Sequence, residues 1–251
     1  DLDRIAKCTT GVLFGVGGAA DRIFLSGNPD KPNWDFYSQE YDPTYFPDTG
    51  YSVLGSATSS VVGYAIVNSY LATFKDEHDP AQNVIIREGD MIPNETSGTS
   101  EPAFKVINTL QGNGVIAPYS FAYLQTEPLF LTQSGICAIT PLDITGERYS
   151  QNRSFFLNGK LTKEEGLDGA VATIFNDQYV LALNRQLYIL DGLQPLRTDK
   201  SMPYSTRQYA AFHCTSVPAS CIWVADNSLM IGTYSGKICR FAKDTESLES
   251  Y

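Results

Sequence analysis

The sequence predicts an all-β protein arranged as a β-propeller, with about five blades of three to four antiparallel strands. Three observations lead there. A mostly apolar run followed by a tight polar turn recurs five times along the 251 residues. With Phe24, Ala72, Phe130, Leu181 and Met230 taken as equivalent positions, the steps between copies are 48, 58, 51 and 49 residues. A period near fifty with several strands per repeat is the pattern of a propeller or a related β-array. Helical periodicity is nearly absent, while 15 Tyr, 13 Phe and 20 Gly suit many short strands joined by tight turns.

The elements follow in order. The first copy places a strand over Gly11–Phe14, a hairpin turn over Gly15–Gly18, and a second strand over Arg22–Gly27. Gly15–Gly18 lacks the helix and the spaced acidic residue that a dinucleotide-binding loop requires. The second copy centres on Ser69–Lys75. The third has strands over Ser120–Leu124, Pro128–Leu131 and Ile136–Ile139, turning at Ser134–Gly135. The fourth has Ala170–Phe175, Tyr179–Leu183 and Gln186–Leu190, turning at Asn184–Arg185. The fifth has Tyr209–Cys214, Cys221–Ala225, Leu229–Thr233 and Lys237–Phe241, turning at Ser235–Gly236. Residues 23–27, 70–75, 128–132, 179–183 and 228–233 should therefore occupy equivalent places. Gly135 and Gly236 should have positive φ. The first and last copies should lie side by side, because a ring must hide its terminal edges.

Two stretches break the rhythm. Residues 89–114 read as a polar loop around one strand, which explains the step of 58. Residues 28–51 hold Pro29, Pro32, Pro43 and Pro47 among seven aromatic residues, and from 34 to 51 there are four acids and no base. Leu157–Leu167 carries one short helical turn. Residues 1–242 are read as a single domain cut from a longer polypeptide, and 243–251 as a charged tail.

A net charge of −10 with singly scattered Lys and Arg disfavours nucleic acid as a partner. No run approaches the roughly 18 apolar residues of a membrane span, and no signal peptide opens the chain. Five cysteines, an odd number, argue against a complete disulfide framework. Cys137, Cys214, Cys221 and Cys239 are read as buried small hydrophobes, with Cys214 and Cys221 placed to face each other across a hairpin.

The chemistry is sparse. The two histidines, His78 and His213, are far apart, and no Cys-x-x-Cys pair exists, so no metal or cofactor is expected. His213 and Cys214, as strand neighbours, point to opposite faces and do not form a nucleophile–base pair. A glycosidase-type propeller would place two or three carboxylates in a central channel, for which Asp21, Asp76, Glu127 and Asp226 are the candidates by position. Asp143–Arg148 reads as a side-chain-bonded turn with a Glu147–Arg148 ion pair, and Arg148 with Arg153 as polar glue between two blades.

The strings Arg22–Ser38, Asp143–Arg148 and Gln151–Asn158 resemble tail or virion structural proteins of phages and prophages. The resemblance spans almost the whole chain. It implies a β-propeller-like domain within a larger virion component, assembled in the bacterial cytoplasm, and it carries no catalytic residue across. The expected function is thus a non-enzymatic assembly or attachment domain. Its partners would be other virion or tail proteins or further copies of itself, with no small-molecule ligand. The aromatic run supplies the contact residues Trp34, Tyr37, Tyr41, Tyr45 and Phe46, or else those rings fold inward and complete the first blade. The alternative function is a carbohydrate-binding or glycoside-hydrolase-like propeller, in which Trp34, Tyr37 or Tyr41 would stack on sugars.

Overall fold

The computed structural model describes residues 2–78, 82–94, 98–147, 151–196 and 207–241. About half the chain is strand and a tenth helix, in five antiparallel sheets, each a simple meander. The first sheet joins β1 (Thr10–Leu13), β2 (Ile23–Ser26), β3 (Trp34–Tyr37) and β4 (Tyr51–Val53). The second joins β5 (Val61–Val67), β6 (Tyr70–Lys75), β7 (Val84–Pro93) and β8 (Ser100–Leu110). The third joins β9 (Ala122–Leu124), β10 (Glu127–Thr132), β11 (Gly135–Ala138) and β12 (Gln151–Asn152). The fourth joins β13 (Val171–Phe175), β14 (Gln178–Leu183), β15 (Gln186–Leu196) and β16 (Gln208–Thr215), and the fifth joins β17 (Ala219–Ala225), β18 (Ser228–Thr233) and β19 (Ile238–Arg240). Two short helices accompany them, α1 (Leu2–Ile5) and α2 (Phe155–Leu161).

The five positions equated from sequence, Phe24, Ala72, Phe130, Leu181 and Met230, all fall on the second strand of their sheets. Turn chemistry sets that repeat. Asn68–Ser69, Asn176–Asp177 and Asp226–Asn227 join first to second strands, and both residues of each pair have positive φ. So do Asn184–Arg185, between the second and third strands of the fourth sheet. Two-residue turns of this kind match the right-handed twist of the strands they join, and short polar residues tolerate the left-handed region best.

Gly135 (φ +111) and Gly236 (φ +78) have the expected conformation, at the β10–β11 and β18–β19 connections. Their surroundings differ. A Cβ on Gly236 would meet open space, whereas one on Gly135 would run into Asn158 Oδ1 and come within 2.6 Å of Ser154 Oγ. Gly236→Val should destabilise by about 1–3 kcal/mol from backbone strain alone, and Gly135→Val by more. Equal denaturation midpoints for the two variants would contradict this.

Four hydrophobic clusters lie one between each consecutive pair of sheets. Along β14, Tyr179, Leu181 and Leu183 enter the core shared with the third sheet, while Val180 and Ala182 enter the core shared with the fifth. Along β10, Leu129 and Leu131 face the fourth sheet and Phe130 the second. Strands buried on both faces need no polar alternation, which is why these runs are continuously apolar.

An ion pair and a polar network also bridge sheets. Arg87 on β7 and Asp35 on β3 form a pair with both side chains fully buried. Arg87 Nη2 also donates to Thr73 Oγ1 (2.9 Å), its Nη1 donates to Ser52 Oγ (3.3 Å), and the Tyr64 hydroxyl donates to Asp35 (3.3 Å). Within the third sheet, Arg153 grips Glu127 through Nε (3.0 Å) and Nη2 (2.6 Å). The fourth sheet is tied in by the Tyr209 hydroxyl, which donates to the same carboxylate, and by the Arg207 carbonyl, which accepts from Arg153 Nη1 (3.2 Å). Arg153 therefore acts as the expected inter-sheet glue. Arg148, its proposed companion and the partner of Glu147, lies outside the described residues, as does the 243–251 tail.

Several expectations need correcting. Residues 89–114 are not a loop around one strand, because β7 and β8 pair as one long hairpin from Val84↔Leu110 to Pro93↔Ser100. Residues 28–51 contain β3 and lead into β4. Of the cysteines, Cys137 is buried, but Cys214, Cys221 and Cys239 are exposed. Cys214 and Cys221 sit on β16 and β17, which belong to different sheets, so they do not face each other across a hairpin. Among the described residues, the principal packing contacts run from each sheet to the next, with none of comparable extent between the first and last.

Candidate interaction surface

The five aromatic candidates separate according to their register in the first sheet. β3 alternates, so Tyr37 pairs with Phe24 on the face toward the second sheet, while Trp34 pairs with Val53 on the opposite face. Tyr37 packs its ring against Phe24 (5.3 Å between centroids) and Phe104 (5.0 Å) and serves the core. Trp34 stacks on Tyr51 at 4.6 Å with ring planes 10° apart, and Lys31 Nζ sits 4.4 Å from the indole. Tyr41 is 79 % exposed and Tyr45 55 % exposed, in the loop between β3 and β4, with Phe46 half-buried beside them. The aromatic run is thus divided between the first core and the surface.

Trp34 belongs to a larger apolar face. Leu13, Ile23, Leu25, Phe36, Tyr51 and Val53 share its side of the first sheet by strand register. Phe36 is covered and has the Arg4 guanidinium over its ring, but Leu13 and Val53 are each more than half exposed. At the far end, Trp223 pairs with Met230, and Cys221 with Gly232 and then Ile238, on the outward side of the fifth sheet. Gly232 leaves room there for the Cys221 thiol. Ile238 is 70 % exposed, and Tyr234 is exposed in the adjoining turn. Sequence reasoning did not single out this second face. Its signal was available in Leu229–Ile231, as continuously apolar as the runs of the middle sheets.

The carboxylate candidates do not converge. Asp21, Glu127 and Asp226 lie at the end of their sheets where first strands turn into second strands, whereas Asp76 follows β6 at the other end. Asp21 is tied to Arg22 (2.9 Å), and burial raises its pKa. Glu127 is held by Arg153, and Asp226 is part of a turn. Burial works to raise the pKa of Asp76, but donors from Ser60 N, Ser59 Oγ and His78 N outweigh it and hold the carboxyl below its ordinary value. The buried Asp143 accepts from Thr140 and Gln151, a structural role.

His213 shares a hydrogen bond with Gln186 and lies against Tyr188, while His78 Nδ1 is 3.0 Å from Asp76. Among the described residues, no group of three or more His, Cys, Asp or Glu is placed to hold a metal ion, and no helix is long and apolar enough to cross a membrane. Comparison of the chain with protein-family models and with curated proteins found no match.

Proposed function

We propose that this chain is a non-catalytic assembly module, a propeller-type array of five sheets that joins others of its kind through the open faces of its first and last sheets. The observation that carries this reading is a mismatch between sequence and burial. In the three middle sheets the second strand is buried on both faces. In β2 and β18 burial alternates, yet the residues on the uncovered side are Ile23, Leu25 and Met230, as apolar as those of the middle strands. These end strands are written for two covered faces and have one.

A sheet face of another copy supplies the missing layer. Contact of a first-sheet face with a fifth-sheet face is head-to-tail, and such a contact repeats into a ring or a filament according to its rotation. Trp34, Tyr51 and Trp223 provide rigid aromatic anchors of the kind that dominate interface energies. A virion particle is the setting we propose for the assembly, on the resemblance of Arg22–Ser38, Asp143–Arg148 and Gln151–Asn158 to phage tail and virion proteins. The buried carboxylates Asp21, Asp35, Glu127, Asp143 and Asp191 are each committed to an arginine or to hydrogen-bond donors within the fold, which supports a structural role over glycoside hydrolysis.

Sedimentation velocity over a range of concentrations tests the proposal. The native chain should self-associate. Trp34→Ala/Tyr41→Ala should shift association to at least about tenfold higher concentration. Tyr41 contributes almost nothing to the fold, so the double variant should stay folded, with its stability lowered only by loss of the Trp34–Tyr51 stack. A native chain that stays monomeric at hundreds of micromolar would contradict the proposal. If the double variant unfolds instead, Trp34 belongs to the core, and the fifth-sheet variant Trp223→Asp then decides the matter by the same measurement.

A further inference from the structure

The fifth sheet is one strand short. Each of the other four sheets has four strands, and in each the fourth strand covers the outer edge of the third. Among the described residues the fifth has only β17, β18 and β19, so β19 stands at an edge that the repeat elsewhere fills. All three of its residues are exposed.

Register determines what that edge offers. Bonds from Thr233 N to Lys237 O (2.8 Å) and from Phe241 N to Leu229 O (3.0 Å) flank the pair Ile231↔Cys239. Hydrogen-bonded pairs in an antiparallel ladder alternate with non-bonded ones. Cys239 therefore turns its N–H and C=O inward to β18. Ile238 and Arg240 turn theirs outward, where no strand meets them among the described residues. An open row of this kind is a template for a further strand. The side chains alternate too. Cys239 shares its face with Ile231, which packs toward the fourth sheet, whereas Ile238 and Arg240 share theirs with Gly232 and Met230.

We infer that β19 of one chain pairs antiparallel with β19 of a second copy, about a two-fold axis through Cys239. The open groups lie symmetrically about that residue. Ile238 of each copy meets Arg240 of the other and exchanges both backbone bonds with it, which gives four bonds across the axis. Cys239 meets its own counterpart at a non-hydrogen-bonded position, where Cα atoms approach to about 4.5 Å. Charge and turn geometry select this register. Lys237 falls opposite Phe241 and Arg240 opposite Ile238, so no like charges face each other directly. A shift of two residues one way would oppose Arg240 to itself, and a shift the other way would run into the turn at Gly236 (φ +78). The contact is isologous, so it closes at two copies. So short an interface falls below the roughly 800 Å² per partner of a stable complex, and it is weak by itself.

The test traps the pair. The full chain at hundreds of micromolar is treated with diamide and resolved on a non-reducing gel. Two thiols lose two protons and two electrons, the diamide is reduced, and a disulfide forms. The expected Cα spacing lies within the range that a disulfide spans. A dimer linked Cys239–Cys239 should form, identified by mass spectrometry of the linked peptide. Cys214 and Cys221 are also exposed thiols and serve as internal comparators. Cys214→Ser should leave dimer formation unchanged, and Cys239→Ser should abolish it. Ile238→Pro removes an outward N–H that the bonds to β18 do not use, a position where a strand tolerates proline. It should slow linkage at least about tenfold, because the symmetry loses that bond twice. Links spread over the exposed cysteines, no dimer, or a proline variant that links as fast as the native chain would overturn the assignment. The pairing uses an edge rather than a face, so neither this result nor the sedimentation result decides the other.

Discussion

Arg87→Met is expected to cost about 3–5 kcal/mol of stability, read as a drop in denaturant midpoint. Arg87 and Asp35 are both fully buried, and their ion pair joins the third strands of the first and second sheets. Removing the cation leaves Asp35 with the weak Tyr64 contact at 3.3 Å in place of a guanidinium. The cost comes from that stranded charge rather than from the attraction lost, since two charges brought out of water have already given up most of their mutual gain. The double variant Arg87→Met/Asp35→Leu should therefore regain most of the stability that the single variant loses. A double variant as unstable as the sum of the two singles would show that the pair acts independently, and the explanation would fail.

Phe130→Ala should cost about 3–5 kcal/mol as well, by a different mechanism. Phe130 is fully buried on β10 and turns toward the second sheet, with its ring 4.6 Å from Phe74 and 5.6 Å from Phe121. Its removal opens a cavity between two rigid sheets that cannot collapse onto it. Met230, equated with Phe130 from sequence, lies one register position away on β18 and so faces the uncovered side of the fifth sheet, while Ile231 takes the place of Phe130. Met230→Ala should cost less than about 1 kcal/mol. Comparable losses at the two positions would mean that the fifth sheet is covered as the third is.

The contrast between these two positions also shows what could be read from the chain. The second strands were legible because two-face burial makes them continuous apolar runs, and turns such as Asn184–Arg185 mark their ends. β3 and β4 were obscured by Pro29, Pro32, Pro43 and Pro47 and by acids placed among the rings. The β7–β8 hairpin was hidden because Asp90, Pro93 and the polar run up to Pro102 look like a solvated loop, and nothing in the sequence marks the adjoining Arg87 as a core residue. Burial of an ion follows from a partner brought near by the fold, and Asp35 lies 52 positions away in sequence. The exposed cysteines were misread for a related reason. Strand context fixes which side a residue faces, but not whether another sheet covers that side. For the same reason the aromatic run was recognised as a unit, while its division between Tyr37 in the core and Tyr41 at the surface depended on pairing register.

Hydrogen exchange followed by mass spectrometry, at concentrations below and above the onset of association, addresses the central claim most directly. Slower exchange on association is expected in segments 10–13 and 51–53 of the first sheet and 219–240 of the fifth, with the loops at 76–78 and 162–168 unchanged. Protection confined to those loops, or to the middle sheets, would contradict joining through the two end faces.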